Sequence, residues 1–470
     1  MTTTMNPTDT TTLFAEHALL PGGWARNVRL AWDRAGVLLE ARAGATPTTR
    51  EPRAAGPVVP GMPNLHSHAF QRVFAGLTEY RRSRDDASGC ADSFWTWRDT
   101  MYRVALAVSP DQLEAIATQL YVEMLHAGYT SVCEFHYLHH DANGAPYADP
   151  AEMAGRLAAA ADRAGIGLTL LPVLYQDSGF GGRPARDDQR RFVACVDTLL
   201  GIVQRCAARG VRIGVAPHSL RAVAPTALQA LLDGVRDIDA NAPIHIHIAE
   251  QQAEVDDCLA WSGARPVQWL LDHAPVDARW CLVHATHMTP DESRRVAASG
   301  AIAGLCPSTE ANLGDGVFDA PAFLDAGGRV GIGSDSHASV SVADELRLLE
   351  YSQRLVQQRR NVLASAVRPD VAERLWQAAC DGGARAAGRP VGALTIGRRA
   401  DFVVLDAAAA RDGLSPAQTL ASAVFARTGQ RVVRDVWVGG QARVTDGAHA
   451  IDAGAQAAFV AARRGLLREI

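Results

Sequence analysis

Val58-Val59-Pro60-Gly61-Met62-Pro63-Asn64-Leu65-His66-Ser67-His68 is an apolar run that ends in polar residues. After it, helical patterns alternate with short apolar runs as far as about residue 390. Seven of those runs end in the same way: Thr130–His136, Gly167–Tyr175, Val211–His218, Ile244–Glu250, Trp280–His284, Ala301–Pro307 and Val330–Asp335. Eight strand–helix units predict an α/β fold, a (β/α)8 TIM-like barrel, before they predict a doubly wound sheet. The punctuation agrees. Ser109-Pro110-Asp111-Gln112 and Thr289-Pro290-Asp291-Glu292 have capping-box form with proline at the first helical position. Gly128 and Gly300 suit the matching stops.

Outside the barrel pattern, residues 14–58 alternate short apolar stretches with Gly, Pro and Thr. A β pattern returns after about residue 391, in Asp401–Asp406 and Val432–Val438. The two ends predict a small β-sandwich domain shared between them. The expected division is 1–58 for its N-terminal part, 59–390 for the barrel, and 391–470 for its C-terminal part with a terminal helix. A chain of 470 residues is long enough for one large domain and one small one.

Composition excludes several classes. A net charge of -5 leaves no basic footprint for nucleic acid. No run approaches the roughly 18 apolar residues of a membrane span. The start, Met1 to Leu13, lacks the basic-then-apolar order of a secretory leader. The eight cysteines (90, 133, 195, 206, 258, 281, 306, 380) include no Cys-x-x-Cys pair and read as buried small hydrophobes in a reducing cytoplasm. All 46 basic residues are arginine. A lysine Schiff base, a lysine general base and a carbamylated-lysine metal bridge are therefore impossible.

His66-Ser67-His68 puts two imidazoles on one face of a strand end, where they can grip one metal ion. Alone, such a pair is a weak signal, because a turn with two solvated histidines fits it better. In a parallel barrel, however, strand C-termini converge on one mouth. His218, His247, His284 and Asp335 also stand at such ends. Each singly fits a satisfied core residue; together they point to a site. His245 shares the face of His247 and is read as packing.

On these residues the chain resembles the amidohydrolase superfamily, in its branch of aminohydrolases and deaminases. The resemblance covers nearly the whole chain. It runs through Pro63–His68, His247-Ile248-Ala249-Glu250, His284, Gly333-Ser334-Asp335, and Gly392-Ala393-Leu394 to Ala400-Asp401-Phe402-Val403-Val404. More narrowly the chain is similar to the formimidoylglutamate deiminases of histidine degradation. The segments concerned are His68-Ala69-Phe70-Gln71-Arg72, Ser93-Phe94-Trp95-Thr96-Trp97-Arg98 and Glu134-Phe135-His136-Tyr137-Leu138-His139-His140. The stretch Tyr80 to Cys90 is longer than the family pattern.

The resemblance implies one Zn2+ per chain (mononuclear), held by His66, His68, His247 and Asp335 with water as the open ligand. Binuclear relatives usually need the carbamylated lysine that this chain lacks. Zinc-bound hydroxide would attack the amidine carbon of N-formimidoyl-L-glutamate, giving N-formyl-L-glutamate and ammonia. Asp335 would take the water's proton, and His284 would assist and stabilise the developing charge. Glu250 would pair with the cationic amidine and shuttle the proton. The glutamate skeleton would fall to Arg98, Tyr137, His218 and Arg221, with Gln71 as a further contact. A guanidinium fork meets a carboxylate bidentately. The aromatic context Ser93–Trp97 argues against an ordinary surface arginine at Arg98. A cytoplasmic homodimer is the expected assembly.

Two competing readings remain open at this point. A deaminase of ring amidines, of guanine or triazine type, would call for stacking surfaces and neutral hydrogen bonds rather than paired arginines. A non-catalytic metal-binding scaffold would not need Glu250 and His284 beside the ligands. Elsewhere, Asp177–Asp188 reads as a mobile loop over the mouth, Arg81–Asp86 as a solvated loop, and Arg359-Arg360 as an exposed helix end.

Overall fold

The computed structural model describes residues 10–79, 94–406, 413–426 and 431–469. Cys90, the run Arg81–Asp86 and the long stretch Tyr80 to Cys90 lie outside the described residues.

Eight parallel strands line the core: Met62–Ser67, Tyr129–His136, Gly167–Leu174, Arg212–Ile213 continued by Ala216–Pro217, Ile244–Ile248, Trp280–His284, Ile302–Leu305 and Arg329–Ile332. They form two arcs, which meet at the parallel bridges Ser67–Asp335 and Val215–Ile244 and so close a barrel. The long strands are buried throughout, as Tyr129–His136 and Gly167–Leu174 show. Burial on both faces is why they read as continuous apolar runs instead of alternating ones.

Helices follow where the caps place them. Ser109 Oγ accepts the Gln112 amide at 3.2 Å to start Pro110–His126. Thr289 Oγ1 accepts the Glu292 amide at 3.2 Å to start Pro290–Ser299, which Gly300 ends in the left-handed conformation. Arg359 and Arg360 are exposed just beyond the helix Val342–Gln357.

Both chain ends contribute to one eight-stranded sheet. Its spatial order is Ala448–His449, Gln441–Thr445, Val433–Val438, Phe402–Leu405, Val58–Pro60, Thr11–Leu20, Gly23–Trp32 and Leu38–Arg42. The sheet curls over itself. Trp32 lies several strands from Trp437, yet their rings meet at 5.4 Å, and Trp32 meets Phe402 at 5.7 Å. The fold-over encloses a separate core of Leu13, Val28, Leu30, Leu38 and Phe402, which gives the sandwich character. Val58–Pro60 pairs with Phe402–Val404 in this sheet, so the run beginning at Val58 supplies two strands to two different sheets. The terminal helix Asp452–Glu469 reaches back to the barrel through an ion pair of His126 with Asp452 at 2.7 Å.

The seven described cysteines are free, and six are buried. Among the described residues no helix is long and apolar enough to cross a membrane.

Candidate active site

The mouth gathers residues distant in sequence because each stands where a buried strand gives out. His66 and His68 flank Ser67, whose hydroxyl donates to Glu134 at 2.6 Å. Glu134 also accepts the Ala69 amide at 2.6 Å, so the second barrel strand clamps the turn that carries His68. The chain leaving the eighth strand passes directly against His66 at Gly333. A Cβ there would lie 2.9 Å from the His66 backbone nitrogen and oxygen, so only glycine permits the approach.

Three imidazoles converge. His66 Nε2 lies 3.1 Å from His68 Nε2 and 2.9 Å from His247 Nε2. His68 Nδ1 donates to the Phe135 carbonyl at 3.0 Å, and His247 Nδ1 to the His218 carbonyl at 3.2 Å. Those bonds place the ring protons on Nδ1 and leave the facing Nε2 atoms with lone pairs. Burial, with neighbouring histidines, holds His66 and His247 well below the ordinary histidine value, and burial brings His68 down to about 3. His66 Nδ1 is buried without a partner, so no bond fixes the proton of that ring, and a cation among the three Nε2 atoms would take a lone pair from each. Asp335 Oδ1 stands 3.4 Å from His68 Nε2 and 3.6 Å from His66 Nε2, a fourth donor of the right chemistry. The residues fit a divalent metal ion.

The far side of this cluster is acidic. His284 Nε2 lies 3.8 Å from Glu250 Oε1 and 3.7 Å from Asp335 Oδ2. Burial disfavours the charged His284 ring, but Glu250, Glu310 and Asp335 outweigh it and lift its pKa to about 10. Burial raises Asp335 to about 7 against the opposing pull of His284, and a bound cation would draw it down again. Asp315 accepts from Gln251, and burial together with Glu250 raises its carboxyl well above the usual range. The backbone is strained here: Ala249, His284, Ala285, Asp335 and His337 all take positive φ, among nine non-glycine residues that do so in the described chain. Each such residue costs on the order of 1–3 kcal/mol, sustained only by the packing around it.

The opposite end is basic. Arg98 lies over the Tyr102 ring at 5.5 Å, and Arg186 over the same ring at 5.1 Å. Burial, with Arg221 and Arg186 nearby, lowers Arg98. Burial opposes the charge on Arg221 too, but Glu254 and Glu250 more than compensate. Its Nε is buried without a partner. Gln71 donates to the Tyr137 hydroxyl at 3.0 Å, while Gln71 Oε1 is buried and unpartnered.

Ten of the eleven residues expected from sequence line one cavity of about 60 Å3: His68, Gln71, Arg98, Tyr137, His218, Arg221, His247, Glu250, His284 and Asp335. His66 lies beneath it, joined through His68 and His247. A larger cavity of about 550 Å3, between Leu19–Pro21 and the 381–398 segment, contains none of them. His245 packs away from the site, bonded to the Ala386 carbonyl at 2.8 Å.

Several residues escaped the sequence reading. Tyr102 was detectable, since it lies four residues after Arg98 on the helix Phe94–Ala107 and shares its face. Glu310 follows the seventh strand, a run with no assigned site residue, on the helix Pro307–Leu313. Tyr175 and Phe192 reach the cavity from loops. The segment expected over the mouth forms a two-strand hairpin, Asp177–Gly179 with Arg183–Pro184, whose Phe180 stacks on Trp261 at 5.4 Å. Gln189 beyond it donates to the hydroxyls of Tyr102 and Tyr175 at 3.0 and 2.8 Å.

Comparison with known proteins is consistent in family and fold. Residues 58–443 match the model of the amidohydrolase family, and residues 10–55 match that of the N-terminal domain of formimidoylglutamate deiminase HutF. A formimidoylglutamate deiminase of Pseudomonas aeruginosa is 54% identical over 452 residues, covering 95% of this chain and 98% of that protein. The crystal structure of an amidohydrolase from Brucella melitensis superposes with a TM-score of 0.90 at 49% identity, covering 97% of this chain and 100% of the other. A zinc-bound adenosine deaminase from Xanthomonas campestris shares the fold, with a TM-score of 0.77 at 21% identity and 98% coverage of each chain.

Proposed function

The chain belongs to the amidohydrolase family, and from that premise we propose the reaction that its mouth is built to perform. It is a hydrolase of carbon–nitrogen bonds whose substrate is a small amidine. It converts N-formimidoyl-L-glutamate and water to N-formyl-L-glutamate and ammonia. One observation carries the substrate assignment: a single cavity has carboxylates at the metal end and arginines at the other. A cationic amidine joined to two carboxylates matches that polarity end for end.

Members of the family are metal-dependent, and we assign one zinc ion to this chain, with His66, His68, His247 and Asp335 as the residues that would hold it. A divalent ion there supplies the Lewis acidity that makes water a competent nucleophile at neutral pH. Asp335 accepts a proton from the attacking water at its carboxylate. His284 Nε2, 3.7 Å from that carboxylate, stabilises the charge that develops at the reacting carbon's new oxygen. Glu250 pairs with the amidinium nitrogens through its carboxylate, then takes the remaining proton of the added hydroxyl and delivers it to the departing nitrogen, while the proton held by Asp335 passes to the ammonia or to solvent. A carbon–oxygen bond forms, the terminal carbon–nitrogen bond breaks, and ammonia leaves. Arg98, Arg221, His218, Tyr137 and Gln71 bind the glutamate skeleton and orient the amidine carbon.

A substrate panel read by released ammonia tests the assignment. N-formimidoyl-L-glutamate is expected to turn over, and formimidoyl compounds without carboxylates to be poor substrates. Faster turnover of guanine would overturn it. The division of the chain near residues 58 and 390, a homodimer and a cytoplasmic location belong to the same proposal. Sedimentation of the purified chain tests the dimer.

A further inference from the structure

His284 is held at both ring nitrogens. Nε2 faces Glu250 and Asp335 across the cavity, while Nδ1 turns away from it and meets Glu310 Oε1 at 3.3 Å. Glu310 does not line the cavity. It is 7% exposed, and the same Oε1 accepts the Cys306 amide at 2.8 Å, so the carboxylate is tied to the end of the seventh strand. A carboxylate anchored in this way can only accept, which fixes a proton on Nδ1 and leaves Nε2 as the nitrogen facing the reacting carbon. His284 and Ala285 both sit at positive φ, of 67° and 49°, so the backbone that aims the ring is in a conformation its own residues disfavour.

Resting on the deimination proposed above, we infer that Glu310 is a positioning residue: through Nδ1 it fixes the rotamer and the ring proton of His284, so that Nε2 points at the amidine carbon. It touches neither substrate nor the metal ligands' donor atoms. The contact through which it acts on the ring is Nδ1 of His284. An amide-capping role at Cys306, by contrast, would be indifferent to what stands at position 284.

A double-mutant cycle on the metal-loaded chain separates the two. Glu310→Ala is expected to lower kcat about 10- to 100-fold, with KM moving less than about threefold. In a His284→Asn background the same change is expected to cost less than about twofold, because the group it positions is gone. Glu310→Gln keeps an accepting oxygen and is expected to recover part of the loss. It also carries the cycle if the alanine variant does not fold. Nitrogen-15 spectra of histidine-labelled protein read the Nδ1 proton of His284 without any turnover. The signal is expected in the wild type and displaced in Glu310→Ala. Equal losses in both backgrounds, or an unmoved Nδ1 signal, overturn the proposal. A wild type that releases no ammonia from N-formimidoyl-L-glutamate defeats the functional reading instead, and the spectra still decide what Glu310 does.

Discussion

Asp335 and His66 are joined twice. The Asp335 amide donates to the His66 carbonyl at 3.0 Å, and Asp335 Oδ1 lies 3.6 Å from His66 Nε2. The first bond closes the barrel between its first and eighth strands, and the second contact completes the donor set. One residue therefore both closes the barrel through its backbone and adds to the donor set through its side chain. Asp335→Ala leaves the backbone bond in place, so it is expected to fold, to be nearly inactive and to hold metal less tightly. Circular dichroism with elemental analysis checks this combination.

Metal content is the next expectation. Three imidazoles converge, Asp335 lies within 3.6 Å of two of them, and the chain has no lysine from which to build a carbamate bridge. Elemental analysis of fully active protein is expected to find one divalent ion per chain, most abundantly zinc. Two tightly held ions would refute the mononuclear site.

Ligation and proton handling are separable. His284→Asn and Glu250→Gln are expected to retain metal and to lose about 10²- to 10⁴-fold in kcat, the usual range for a general acid–base step. Near-wild-type turnover of either variant would refute the assigned roles.

The arginines are expected to act only on the carboxylates. Loss of one charged hydrogen bond costs about 1.5–3 kcal/mol, roughly ten- to a hundredfold. Arg98→Met and Arg221→Met are expected to lower kcat/KM by at least that factor on the full substrate. On an analogue lacking the matching carboxylate they are expected to change little. Equal losses on both substrates would make them structural.

Glu345 provides a pH test away from the metal. It is fully buried, bonded to the Ser308 amide at 2.8 Å and to the Ser308 hydroxyl at 2.5 Å, and burial raises its pKa to about 8. The folded state thus binds this proton more tightly than the unfolded state, whose value is near 4.5. The stabilisation is complete below about 4.5 and is lost as pH rises through about 8, on the order of a few kcal/mol in all. Thermal midpoints between pH 5 and 9 are expected to fall with rising pH in the wild type and to flatten in Glu345→Gln. Identical slopes would place the raised pKa elsewhere.

The barrel and most of its site were legible in the sequence for one physical reason. Strands buried on both faces must be apolar along their length, so the polar residues that end them stand out, and parallel strands deliver those ends to one mouth. His66, His68, His218, His247, His284 and Asp335 all carry that signature. The roles proposed for Arg98, Arg221 and Gln71 rest on family resemblance, and in an arginine-rich chain the aromatic context Ser93–Trp97 is the local mark that sets Arg98 apart from a surface arginine. What only the tertiary structure decided is which distant backbones meet. Val58–Pro60 looks like part of the first barrel strand, yet it pairs with Phe402–Val404, a choice that its own residues do not encode. The run Val211–His218 breaks midway, where the Val215 amide bonds to the Pro243 carbonyl at 3.0 Å. Glu310 and Tyr102 reach the site from helices, and which face of a helix looks inward is settled by packing summed over the whole fold, because local pattern carries the period of a helix but not the identity of its neighbour.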